Sequence, residues 1–88
     1  MEALKFLLKR LTEAEKITDE LERKLEKDPE NEELDRQYDE AYKVEYEAYI
    51  TLAENIEIKT DGKINLDTAK KLISTKREEI KDILERVA

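Results

Sequence analysis

Two residues punctuate this chain. Its 88 residues include one proline, Pro29, and one glycine, Gly62. These are the residue types that most readily stop a helix or turn a backbone sharply. In the stretches before, between and after them, apolar residues recur at intervals of three and four, the period of a helix buried along one face. Three helices joined by short links pack up-down-up. The expected fold is therefore all-α: one domain over residues 1–88, a three-helix antiparallel bundle.

The first helix is read from Ala3 to Lys27, with a stripe of Leu4, Leu7, Leu8, Leu11, Ala14, Thr18, Leu21 and Leu25 that Phe6 and Ile17 widen. Asp28-Pro29 predicts the next boundary, with Asp28 as N-cap and Pro29 at the first helical position, where no N–H is needed. The second helix is read over 29–57, with Leu34, Tyr38, Ala41, Tyr42, Tyr49, Leu52 and Ile56 on its face. With Val44 and Ile50 the apolar arc spans roughly 240° at 100° per residue. That is more than a helix with two neighbours normally buries. The third helix is read over Asp67–Val87, with Ala69, Leu72, Ile73, Ile80, Ile83, Leu84 and Val87 inward.

Between them, residues 56–66 switch to a period of two around Asp61-Gly62, a hairpin signal. Two readings stay open: a short β-hairpin over about 56–66, or a helix end, a turn at Gly62 and a new helix capped by Asn65 or Asp67. Asp61-Gly62-Lys63-Ile64-Asn65 also resembles the second half of an EF-hand loop. The other ligand positions depart from that pattern: Glu57 stands first, Lys59 third, and Thr68 replaces the bidentate Glu. No metal is expected there.

One charge falls on each of two apolar faces. Glu45 lies near the middle of the second helix's face and Lys76 in the middle of the third's. A lone buried charge is costly, and both are about equally far from Asp61 along antiparallel helices. The expectation is a buried polar pair, Glu45 with Lys76, that fixes helix register rather than doing chemistry. The surplus arc points to a contact surface. Tyr42, Tyr46, Ile50 and Ala53 are read as its outer, partner-binding side, because Tyr offers large contact area at modest entropy cost. Tyr38 and Tyr49 are read as core residues whose hydroxyls reach the rim.

Composition narrows the function. There is no Cys or His, which removes disulfides, thiolate sites and the commonest general base and metal ligand. No nucleophile motif or phosphate-cradling loop is present. Neither a catalytic site nor a cofactor is expected. Charged residues make up 47% of the chain with a net charge of −7, and Glu26–Glu47 alone carries 10 acids against 3 bases. Such acidity disfavours direct nucleic-acid binding and anionic membranes, and suits basic partners. Phe6-Leu7-Leu8 is too short for a signal-peptide core and no run is long enough to span a bilayer, so a cytoplasmic setting is expected.

The functional reading is a small, acidic, non-enzymatic protein–protein interaction module, an adaptor, regulator or inhibitor that occupies a basic surface of its partner. Two alternatives stand beside it. The chain could be a self-associating bundle, most simply a homodimer. The absence of Cys and His and the acid-rich cap also fit an engineered scaffold with no evolved partner.

Overall fold

The computed structural model describes residues 2–86, with side chains other than those of Glu2, Leu84 and Glu85. Among these residues the fold is all-helical. Two long helices, α1 (Glu2–Lys27) and α2 (Glu32–Lys59), form an antiparallel hairpin. Two short helices follow, α3 (Leu66–Thr75) and α4 (Arg77–Arg86). The expected third helix is thus two, and Val87 lies outside the described residues.

Each link has a local chemical cause. Asp28 and Pro29 do not start α2. The Asp28 carbonyl accepts from the Asn31 N–H to close a turn, and its carboxylate accepts from the Asn31 amide. Asn31 is the N-cap, and its side chain accepts from the Leu34 N–H at 3.1 Å. This arrangement satisfies one of the orphan donors of the first turn.

No β-hairpin forms over 56–66. Ile56 is buried in helical register beside Leu52, and α2 continues to Lys59. The helix ends in a Schellman motif. The Gly62 N–H donates to the Glu57 carbonyl and the Asp61 N–H to the Ile58 carbonyl, with Asp61 at φ 52° and Gly62 at φ 78°. Asp-Gly supplies the two left-handed residues that a hairpin turn would also use. Glu57 reaches forward to accept from the Leu66 N–H at 2.7 Å. Asn65 caps α3 through the Thr68 N–H.

The break at Lys76 (φ −136°, ψ 57°) involves neither Gly nor Pro. In an unbroken helix the Ile73 carbonyl would accept from the Arg77 N–H. Here it accepts from the Arg77 side chain, Nε to O at 3.0 Å. The guanidinium then grips Glu15 of α1 with two parallel bonds of 2.9 and 3.1 Å.

α3 packs on α2, and α4 turns back against α3 and the edge of α1. The end of α4 returns to the connector, where Ile83 and Arg86 adjoin Lys63 and Ile64. The main core lies at this base, and buried Ala14 and Thr18 continue it along α1. Leu4, Leu8 and Leu11 meet Ala48, Leu52, Ala53, Ile56, Ala69, Ile73 and Ile80. At 1.5 Å per residue α1 is about 39 Å long and the ten-residue α3 and α4 about 15 Å each. The molecule measures 46 × 20 × 17 Å. More than half of the α1–α2 hairpin therefore projects past α3 and α4 as a two-helix arm. Its seam residues Leu21, Leu25, Leu34 and Ala41 are only half-buried.

Candidate interaction surface

The arm owes its character to the phase of α2. Leu34, Ala41, Glu45 and Leu52 point along the seam toward α1, while Tyr38, Tyr42, Tyr46 and Tyr49 fall on one flank. The rings associate in pairs: Tyr38 with Tyr42 at 6.4 Å between centroids, Tyr46 with Tyr49 at 6.3 Å. Both separations lie in the favourable range for tilted aromatic contacts. Tyr49 is built into the base, where its hydroxyl donates to the Lys70 carbonyl at 3.1 Å and adjoins the Ser74 hydroxyl. Tyr42 and Tyr46, by contrast, are 50% and 53% exposed.

Acids surround this strip. Beside Tyr38 lie Glu22, Glu26, Asp35 and Asp39 with Leu25 and Pro29. Burial pushes the Tyr38 hydroxyl above its ordinary value, and the charges of Glu22, Glu45 and Asp39 push the same way. Where the arm meets the base, a cleft of about 380 Å³ opens. Leu11 and Ile73 are among its apolar lining. Tyr42, Tyr46 and Tyr49 line it too, and Glu45, Glu15, Ser74 and Arg77 bring polar groups.

Glu45 and Lys76 do not meet. Lys76 sits at the helix break with its side chain 59% exposed and its ammonium 3.8 Å from Glu79. The break rotates Lys76 off the inner face and brings its neighbour Arg77 to α1 instead. Arg77 was not singled out by the sequence. The available signal was Glu15, about 40° from Leu11 on the helical wheel and so at the rim of the α1 stripe. Glu45 faces α1 half-buried beside Thr18. Burial raises its carboxyl above the ordinary value; the Thr18 hydroxyl opposes that rise, and the charges of Glu15 and Asp19 add to it.

Of the four residues expected at a partner surface, Tyr42 and Tyr46 are open and Ile50 is half-buried. Ala53 is fully buried in the core where α3 packs on α2, so it cannot contact a partner. The opposite flank of the arm was not singled out. There Ile17 and Val44, 55% and 48% exposed, join Leu21 and Ala41 in a second groove, edged by Glu20, Glu40 and Lys24. A helical wheel shows which residues share a face, but it does not show that the covering helix stops short.

No helix among the described residues is long and apolar enough to cross a membrane. Comparisons with protein-family models, with curated proteins and with solved structures find no match for this chain.

Proposed function

We propose that this chain is a non-enzymatic protein-interaction module that receives a basic, amphipathic helical segment of a partner along the tyrosine flank of its arm. One observation carries the reading: an aromatic strip ringed by acids lies exposed on a two-helix arm that, among the described residues, has no third helix over it. Two packed helices alone leave apolar surface that a third helix can bury, and an amphipathic partner would do so. Acids on the rim select lysine- and arginine-bearing partners and speed their encounter. Adaptor, regulator and inhibitor roles all follow from that one docking mode, as does occupation of a surface that otherwise holds nucleic acid. We read the setting as cytoplasmic.

The test is titration of the labelled protein with a Lys/Leu amphipathic helical peptide. Micromolar binding that weakens as salt is raised is expected. The double variant Tyr42→Ser/Tyr46→Ser should lose about tenfold in affinity, from roughly 0.5–1.5 kcal/mol per aromatic contact. Equal binding by that variant, or equal binding of a Glu/Leu peptide, would refute the reading.

Self-association is the second reading, favoured by the Ile17–Val44 flank, where both signs of charge edge the apolar groove. Light scattering over a concentration series, with Val44→Glu as control, decides it. A dimer that the variant breaks would place a second copy on that flank.

A further inference from the structure

We propose that the cleft between Tyr42, Tyr46 and Glu45 is a socket for a single arginine side chain of the partner, which would anchor the docked segment. The inference rests on the tyrosine flank being the surface that meets the partner.

The cleft already shows how it holds a guanidinium. Arg77 lies in its wall and pairs with Glu15 through two nearly parallel bonds. That pair neutralises one of the two carboxylates of the cleft. The other, Glu45, pairs with no lysine or arginine among the described residues. The groups facing it from α1 are Thr18 and the further acids Glu15 and Asp19. Glu45 is thus half-buried with no cation of its own, near Asp19 and a Glu15 whose charge Arg77 already balances, so one added cation would be favourable there.

The walls fit the same ligand. Two tyrosine rings, each about half exposed, stand at the mouth, with Leu11 and Ile73 among the apolar lining. A planar guanidinium stacks on aromatic faces and pairs bidentately with a carboxylate, whereas an ammonium does so only as a point charge. A volume of about 380 Å³ accommodates such a side chain.

The test uses small probes on the free protein, so it does not depend on any helix docking. Acetyl-arginine methylamide and its neutral near-isostere, acetyl-citrulline methylamide, are titrated at matched ionic strength and followed by amide chemical shifts. The arginine probe should move the amides of residues 42–49 and 73–77 with millimolar affinity. Citrulline should bind about tenfold more weakly or worse, as the loss of a charge-assisted pair implies. Glu45→Gln should lose a similar factor. Glu33→Gln, which alters an exposed acid paired with Arg36, should lose none. Equal shifts from both probes, shifts confined to residues 22–39, or full binding by Glu45→Gln would each overturn the proposal. If Tyr42→Ser/Tyr46→Ser abolishes peptide docking while Glu45→Gln leaves the arginine titration unchanged, the docking surface stands and the socket falls. If the peptide fails to dock but the arginine probe binds as described, the socket stands and the docked-helix reading falls.

Discussion

Replacing Arg77 by Ala tests the corner between α3 and α4 most directly. Three contributions are lost. The bidentate pair with Glu15 is charge-assisted, and such hydrogen bonds contribute about 1.5–3 kcal/mol in favourable settings. Here the side chains are 28% and 37% exposed, so solvent screening brings the pair down to about 1 kcal/mol. The bond from Arg77 Nε to the Ile73 carbonyl contributes about 0.5–1 kcal/mol more, and the aliphatic stem packs at the rim of the core. The expected loss is about 2 kcal/mol, which for a domain this size lowers Tm by roughly 8–16 °C. Urea unfolding followed by far-UV circular dichroism measures it. In a double-mutant cycle with Glu15→Ala, about 1 kcal/mol should be coupling, because only the ion pair is shared. Lys76→Ala should stay within about 0.5 kcal/mol, as for other exposed sites. Coupling below about 0.3 kcal/mol, or a Lys76 effect larger than that of Arg77, would refute the assignment of the corner to Arg77.

Other perturbations follow from the uneven core. Leu52→Ala at the fully buried base should cost about 3 kcal/mol, while Leu25→Ala on the half-buried arm should cost nearer 1 kcal/mol; similar losses at the two sites in urea melts would contradict a main core at the base. Because the folded state raises the Glu45 carboxyl above its unfolded value, the folded protein binds the proton more tightly, and Glu45 subtracts stability as pH rises through that window. Glu45→Gln should therefore be more stable than the parent at pH 7, with the gain vanishing below the ordinary carboxylate range. A buried pair with Lys76 would give the opposite sign. Gly62→Ala meets no atom within 4 Å, but its φ of 78° disfavours a Cβ, so thermal melts should show a loss of about 1 kcal/mol.

Much of the fold was legible because it is local. Periodic leucines in α1 and the acid-rich start of α2 are read over a few residues. The misreadings arise where one local signal serves two structures. Asp61-Gly62 provides the left-handed pair for either a hairpin or a helix stop, and the helical phase of Ile56 against Leu52 decides between them. Asp28 and Asn31 are both good caps, and the turn closed by Asp28 leaves the role to Asn31. The break after Thr75 has a local signal that the reading of one continuous helix passes over: Ser74 and Thr75 are weak helix formers, Thr75 stands three residues before Glu78 in a capping-box spacing, and Glu78 and Glu79 put acids in the first turn of α4. Those residues also tolerate a continuous helix, and the grip of Arg77 on Glu15 of another helix adds a non-local contribution to the corner. The same break turns Lys76 outward and puts Arg77 on Glu15 of α1, so both partners of the expected Glu45–Lys76 pair are replaced. The surface was half legible: the tyrosine spacing identified the strip, but only the short reach of α3 shows that Tyr42 and Tyr46 stay open while Ala53 is sealed.

The corner at Arg77 also bears on the order in which the chain assembles. The α1–α2 hairpin closes over a four-residue link between neighbouring helices, and α3 adds to the adjacent α2. The bond between Arg77 and Glu15 spans 62 positions of the sequence, so closing it costs more loop entropy than the α1–α2 link or the addition of α3 to α2. The expected order is α4 last, and its test is kinetic: Arg77→Ala should speed unfolding and leave the refolding rate nearly unchanged, whereas slowed refolding would place α4 docking in the barrier. The segment that completes the core would thus also be the first to leave it, opening the Leu4–Leu8 side of the base while the long hairpin is still intact.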